Sequence, residues 1–380
     1  MAQEDVYFYI SKYNVSVVFN ATEEELPLPT DSDPESDTDI LVFSDSFITF
    51  QEPSAQLFLI EWSIYTNSPF IAWNDPNRDY YLQHLQSKSE GCAAAFGWVG
   101  DEGSYVSYIT KYGVWAHASD WAKNMVPLSN INVPFDTPVD TYPDNVNITQ
   151  GVHTVTFIMT DGDNLQWMLG GFLGDSWYGA PELNDTPMGF TLAPSLVDIS
   201  PISLSYIYDH ASAKNLTSIV TSPSGIGYLY PELLSEEILL NYAQQTVQFM
   251  ERTGMTSLNI LAGSDDISDY TLLKSSSPFL EHDAVDGVFY YTYGMGYAGG
   301  GGKAIFSSNN KPIITARFSL WGDNTDPTVS PMLSNDAMVA AHGYSVVCVH
   351  AWTHTTSDVK YIVDQLGLGD GTGVEVLTPN

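Results

Sequence analysis

Short apolar runs rich in β-branched and aromatic residues recur through the second half of the chain. Segments with helical spacing separate several of them, and residues 235–250, 334–342 and 357–366 fit amphipathic helices. Ser235 is a suitable N-cap for the first of these helices, and Gly254 lies where it should end. The eight strand-like runs are residues 154–160, 189–192, 217–221, 257–261, 285–292, 312–318, 344–350 and 373–377.

Strands that alternate with helices indicate parallel pairing through right-handed crossovers. Eight strands within residues 151–380 predict an α/β fold with a (β/α)8 barrel-like C-terminal domain. A doubly wound open sheet is the alternative. The glycine-rich segment 294–302 replaces a helix after the fifth run, so we expect an irregular barrel wall there.

The first part of the chain has a weaker pattern, typical of a small α/β domain over residues 1–133. Strands are predicted at 6–10, 40–43, 55–60 and 69–73, and helices at 79–87 and 105–111. Residues 23–39 contain eight acidic side chains and three prolines, which indicates a solvated loop. Three further prolines mark residues 134–150 as a linker.

Charge narrows the range of partners. The chain has 12 Lys plus Arg against 46 Asp plus Glu, a formal net charge of −34. Such a field repels phosphate backbones, so we expect no nucleic acid partner. No apolar stretch reaches the roughly 18 residues that a membrane helix needs, so no membrane insertion is expected. The same acidity is typical of a soluble protein and leaves calcium binding and self-association open.

Cysteine and asparagine usage bears on location. Cys92 and Cys348 are too few for a disulfide framework or a thiolate metal cluster. The first residues lack a signal peptide pattern, so we expect that the chain is cytosolic, that its signal has already been removed, or that the signal lies outside this sequence. Five Asn-x-Ser/Thr sequons favour an extracellular, glycosylated protein, at Asn14, Asn20, Asn147, Asn184 and Asn215.

Polar and aromatic side chains follow several predicted strands, where the ligands of a barrel gather. They are Asp161, Asp163 and Asn164 after the first strand, Tyr228 and Tyr230 after the third, Asp265 after the fourth, Arg317 and Trp321 at the sixth, and His350 and Trp352 at the seventh. Glycoside cleavage needs two carboxyl groups and benefits from aromatic rings against the sugar. The carboxyl candidates are Asp161, Asp163, Asp265 and Glu102, the last in a glycine-flanked loop of the first domain.

Each candidate also has a structural interpretation. Asp163 or Asn164 could cap the helix that follows, and residues 161–164 could bind a cation. Asp265 and Glu102 fit exposed turns, and His350 fits a buried, hydrogen-bonded histidine. Arg317 in an apolar strand could pair with Asp161 or Asp163.

Residues 225–231 read Gly-Ile-Gly-Tyr-Leu-Tyr-Pro and follow the third predicted strand. They reproduce the GxGYxYP signature, and the chain resembles the GxGYxYP putative glycoside hydrolase family from about Ala95 to Pro379. The segments 161–167 and 349–352 carry the likeness further, and 117–124 does so more loosely.

The resemblance implies a glycoside hydrolase that acts on an extracellular glycan. Asp161 or Asp163 would be one carboxyl partner, Asp265 or Glu102 the other, and no metal would be required. The remaining candidates would bind substrate: Tyr228, Tyr230, Arg317, Trp321, His350, Trp352 and Asn164. The alternative is a non-catalytic extracellular structural or glycan-binding protein on the same scaffold.

Overall fold

The computed structural model describes residues 46–51, 58–89, 92–134, 152–213, 217–295, 301–322, 343–366 and 374–379. Several predictions lie outside these residues: the strands at 6–10 and 40–43, the acidic loop, the linker beyond residue 134 and the helix at 334–342. The sequons at Asn14, Asn20, Asn147 and Asn215 lie outside them as well.

The described residues form two sheets. The N-terminal sheet has four parallel strands in the order β2-β1-β3-β4. They are β1 (Phe47–Gln51), β2 (Phe70–Ala72), β3 (Ala93–Phe96) and β4 (Val114–His117). The second sheet contains β5 (His153–Met159), β6 (Met188–Leu192), β7 (Thr217–Thr221), β8 (Ser257–Ala262), β9 (Gly287–Thr292), β10 (Ala304–Phe306), β11 (Pro312–Leu320), β12 (Tyr344–Val349) and β13 (Val374–Val376).

Seven parallel strands of the second sheet close into a barrel, in the order β5-β6-β7-β8-β9-β11-β12 and back to β5. The barrel-like fold is confirmed, with seven strands in the ring instead of eight. The eighth predicted strand, β13, pairs with the first half of β5 through His153 and Thr154. β6 pairs with the second half of β5 through Ile158 and Met159. β13 therefore occupies the part of β5 that β6 does not pair with. β10 is antiparallel to β11, in the region where the glycine-rich segment predicts an irregular wall.

Helices connect the strands and cover both sheets. They are α1 (Ile60–Thr66), α2 (Arg78–Lys88), α3 (Glu102–Thr110), α4 (Met125–Ser129), α5 (Leu165–Met168), α6 (Leu196–Ile199), α7 (Pro201–Ala213), α8 (Glu236–Thr253), α9 (Asp269–Leu280) and α10 (Thr356–Gln365). α8 begins and ends as the sequence predicts: the Ser235 hydroxyl accepts from the Ile238 amide, and Gly254 adopts φ 71°. α10 starts one residue earlier than predicted because Thr355 and Asp358 form a capping box. The predicted strand at 55–60 is wrong at its end, since Ile60 begins α1.

Backbone contacts join the N-terminal sheet to the loops that follow β7 and β5. β4 is an edge strand, and Ala116 exchanges backbone hydrogen bonds of 2.8 and 2.9 Å with Tyr228, which follows β7. Two residues further on, Ala118 bridges Asn164, which follows β5. The N-terminal sheet therefore lies against the carboxyl ends of the barrel strands.

Both cysteines are buried thiols without a disulfide bond, and burial raises the pKa of the Cys348 thiol. None of the described helices is both long and apolar enough to cross a membrane.

Candidate active site

A cleft of about 250 Å³ opens where the N-terminal sheet meets the barrel. Residues from both parts line it: Trp98, Glu102, Ala118, Asp120, Asp161, Asp163, Asn164, Gln166, Pro223, Tyr228, Leu261, His350 and Trp352. The structure thus brings six of the predicted strand-end residues and Glu102 to one place.

The loop after β5 holds two aspartates on either side of a glycine. Gly162 has no room for a side chain, because a Cβ atom would lie 2.2 Å from the Thr191 carbonyl carbon and oxygen. The Gly162 amide donates to the Thr191 hydroxyl at 3.0 Å, which fixes the loop against β6. Asp161 takes a left-handed conformation with φ 74°, so the two carboxyl groups reach the cleft from a tight turn.

Asp161 is held by the loop after β12. Its Oδ2 accepts a hydrogen bond of 3.3 Å from the Ala351 amide and lies 3.7 Å from Nε2 of His350. Its side chain is only 15 % exposed. Burial raises the pKa of Asp161 to about 7, although hydrogen bonds from Ala351, Thr160 and Trp352 oppose the shift.

Asp163 is the more buried of the pair, at 6 % exposure. Burial raises its pKa well above the usual range, and repulsion from Asp161 and then from Glu102 adds to the effect. The surroundings of Asp163 therefore favour its protonated form.

Glu102 comes from the other domain, at the first residue of α3. Asp101 caps this helix by accepting a 3.0 Å hydrogen bond from the Ser104 amide. The hydroxyl of Tyr228 donates to Glu102 Oε1 at 2.7 Å. Both the helix N-terminus and this hydrogen bond favour a negative charge on Glu102.

The signature residues explain why Tyr228 is so placed. Gly225 has φ 133°, and a Cβ on Gly227 would lie 2.3 Å from Trp115 Cδ1. The Tyr242 hydroxyl donates to the Gly227 carbonyl at 2.8 Å. Gly227 therefore lets the loop lie against β4, and Gly225 lets it lie against Thr246 of α8, which places the Tyr228 hydroxyl beside Glu102.

The other predicted substrate residues near the cleft have different surroundings. Asn164 caps α5, accepting a 3.1 Å hydrogen bond from the Trp167 amide, as its structural interpretation expects. His350 is buried, and burial lowers its pKa to about 4, so it is neutral at neutral pH. Trp321 packs on the His350 ring at 3.8 Å between centroids, outside the cleft lining. Trp352 is 53 % exposed at the cleft mouth.

Three predicted residues lie elsewhere. Tyr230 is buried beneath Tyr228, and its ring packs against Gly263. Asp265 is exposed and does not line the cleft. Arg317 donates to the Ser345 hydroxyl at 3.4 Å, near the start of β12, at the end of the barrel opposite the cleft.

A bulge in β11 explains the position of Arg317. Ala316 pairs with Val346 and Phe318 with Val347, so Arg317 is the extra residue of the bulge. The ion pairs among the described residues do not join it to Asp161 or Asp163.

The prediction missed a fourth cleft carboxyl, Asp120, together with Gln166 and Trp98. Gln166 accepts a hydrogen bond of 2.6 Å from the Trp121 amide, which links α5 to the loop that carries Asp120. Trp98 stacks on Tyr228 with 6.3 Å between ring centroids. The only sequence signal for Asp120 was its place in the segment 117–124, which loosely resembles the family.

Within the described part of the chain, three or more His, Cys, Asp or Glu side chains nowhere gather in a metal-binding arrangement. Calcium binding stays a prediction, as do the extracellular location and self-association. Asn184, the one sequon in the described ranges, is exposed at the end of a 3₁₀ turn.

Two family models match this chain, one over the barrel and one over the N-terminal sheet. A family model described as the GxGYxYP putative glycoside hydrolase C-terminal domain matches residues 151–380. A second, described as the GxGYxYP third domain, matches residues 45–130. No curated protein matches the chain.

Among solved structures, the chain is similar to a putative hydrolase from Bacteroides thetaiotaomicron VPI-5482, with 28% sequence identity and a TM-score of 0.73. The match covers 88% of this chain and 65% of that protein. A 4-alpha-glucanotransferase from Thermococcus litoralis has 11% identity and a TM-score of 0.37, over 60% of this chain and 37% of the other. A BA3943 mutant, a CE4 family pseudoenzyme with restored enzymatic activity, has 13% identity and a TM-score of 0.32, over 61% and 66%. The last two TM-scores are too low to establish a shared fold.

Proposed function

The chain belongs to the GxGYxYP putative glycoside hydrolase family, and on that premise we propose that its cleft hydrolyses a glycosidic bond of an extracellular glycan. Asp163 is the general acid, and Glu102 is the base or nucleophile. The observation that carries the proposal is the meeting of these two carboxyl groups, from two domains, in one aromatic cleft.

Asp163 suits the acid role because its surroundings favour the protonated form. The leaving oxygen of a glycoside must receive a proton, and an ordinary aspartic acid has lost its proton at neutral pH. Burial and the neighbouring Asp161 and Glu102 carboxyl groups raise the pKa of Asp163 well above the usual range.

Glu102 suits the complementary role because its surroundings stabilise the ionised form. The Tyr228 hydroxyl donates to it, and it lies in the first turn of α3. One carboxyl group kept neutral and another kept charged is the division of labour that glycoside cleavage requires.

Aromatic rings around the cleft support a sugar ligand. Trp98 and Tyr228 lie at one side and Trp352 at the mouth. Their faces can pack against the C–H surface of a pyranose ring. The acidic composition and the exposed sequon at Asn184 agree with an extracellular substrate.

A panel of α- and β-linked glycans tests the proposal, with released reducing ends as the measurement. We expect turnover of at least one glycan by the wild-type chain and a rate about 10³-fold lower in Asp163→Asn. The rate should fall at high pH, as Asp163 loses its proton, and at low pH, as Glu102 gains one. Binding of a glycan without turnover by the wild type would instead support the non-catalytic alternative.

A further inference from the structure

The charge of the cleft has one sign only. Glu102, Asp120, Asp161 and Asp163 line it, and none of the described lining residues is a lysine or an arginine. His350 supplies no positive charge near neutral pH, because burial lowers its pKa to about 4.

Two of these carboxyl groups lack an opposite charge. The ion pairs among the described residues include neither Asp120 nor Asp163. Oδ1 of Asp120 is buried without a hydrogen-bond partner in the described part of the chain. Burial raises the pKa of Asp120, and burial with repulsion from Asp161 raises that of Asp163.

The lack of cations is local to the cleft. On the outer surface, Arg252 pairs with Asp198, and Lys303 pairs with Asp269 at 2.6 Å. Basic residues are scarce in this chain, and none of the described lysines and arginines lines the cleft beside its acids. A ligand with a positive charge would supply what the protein leaves out.

We propose that the cleft selects a sugar bearing a free amine, such as a 2-amino-2-deoxy sugar, over the neutral sugar and excludes uronic acids and sulfated sugars. The substrate class rests on the proposed function, which identifies the cleft as the sugar site. A protonated amine offers three N–H donors to carboxylate oxygens. An anionic sugar would add a like charge to a site already shielded from water.

Asp120 is the residue assigned to this selectivity. It lines the cleft but is neither the proposed acid nor the proposed base, so its charge can act on the choice of substrate separately from bond cleavage. Its removal should therefore reduce the preference for the amine.

Equilibrium binding to matched methyl glycosides tests the proposal. The probes are the 2-amino, neutral and uronic acid forms in both the gluco and galacto series, titrated calorimetrically below the pKa of the sugar amine. In at least one series we expect the amine to bind about fivefold or more tighter than the neutral sugar, with no binding of the uronic acid. Added salt should weaken the preference.

Two variants that each remove one carboxylate test whether Asp120 causes the preference for the amine. Asp120→Asn should lower the preference for the amine by about threefold or more. Asp286→Asn should leave it unchanged, because Asp286 is exposed just before β9, at the opposite end of the barrel. Circular dichroism confirms that both variants fold.

Equal affinity for the amine and neutral forms in both series, tighter binding of a uronic acid, or no binding of any probe would overturn the selectivity. Hydrolysis of a neutral glycan without charge preference would retain the proposed function and reject this inference. Charge-selective binding without hydrolysis would support the selectivity of the cleft and reject the proposed hydrolysis.

Discussion

Two loops of this barrel have nearly the same sequence character and very different surroundings. Asp161 and Asp163 follow β5, and Asp265 and Asp266 follow β8. The first pair is buried in the cleft, and the pKa of each is raised. The second pair is exposed, and hydrogen bonds from Thr271 and Ser268 lower the pKa of Asp266.

The N-terminal domain makes the difference. Ala118 bridges Asn164 beside the first pair, and α3 brings Glu102 to the same cleft. Among the described residues, Asp265 and Asp266 of the β8 loop are exposed, and the loop orients the N-terminus of α9, where Ser268 is the N-cap. The two strand ends therefore differ in proton affinity because the N-terminal sheet helps to bury one of them.

The largest expected effect is a difference in kcat between a variant of the β5 loop and a variant of the β8 loop. Asp163→Asn removes the proposed proton donor and should reduce kcat about 10³-fold on a glycan that the wild type hydrolyses. Asp265→Asn, with the same charge change in the exposed loop, should leave kcat within about twofold. Steady-state rates at the wild-type pH optimum measure both. Similar losses in the two variants would refute the division between the loops.

The second prediction tests whether Glu102 of the N-terminal region takes part in catalysis. Glu102→Gln keeps the size of the side chain and its hydrogen bond with Tyr228 but removes the charge. It should reduce kcat about 10²-fold and remove the fall in rate at low pH. Glu237→Gln, in the exposed first turn of α8, is the control. An unchanged pH profile in Glu102→Gln would assign the base elsewhere.

The seven ring strands were predictable because β-branched and aromatic runs are local signals. The strands of the N-terminal sheet were harder: β3 reads Ala-Ala-Ala-Phe, a composition with weak strand preference. All four of its residues are buried, so tertiary packing decides its conformation.

The site was predictable in part for a similar reason. Asp161, Asp163, Tyr228, His350 and Trp352 share the cleft because parallel strands end at one side of a barrel. Asp120 enters through domain packing, which no local pattern reveals. Arg317 was misplaced because a bulge upsets the alternation of facing residues.

The third effect is on stability, and its sign follows from the raised pKa of Asp161. In the folded protein the charged form is disfavoured, so wild-type stability falls as pH rises from about 4 to about 7. Asp161→Asn carries no such penalty, and asparagine tolerates the φ of 74°. Its free energy of unfolding should exceed that of the wild type by about 2 kcal/mol at pH 8, with little difference at pH 4. Urea unfolding at both values measures it.

The smallest effect belongs to the exposed loop. Asp266 accepts hydrogen bonds from the Ser268 amide at 2.9 Å and from the Thr271 hydroxyl, which together hold the cap of α9. Asp266→Ala should lower Tm by about 1–2 °C at neutral pH. Asp265→Ala should not, because no hydrogen bond to its carboxyl group is present in the described residues. The deficit of Asp266→Ala should shrink in acid, because the lowered pKa of Asp266 stabilises the wild type only while that carboxyl is ionised. A deficit that grew in acid would mean that the β8 loop carries a protonated carboxyl after all, as the β5 loop does.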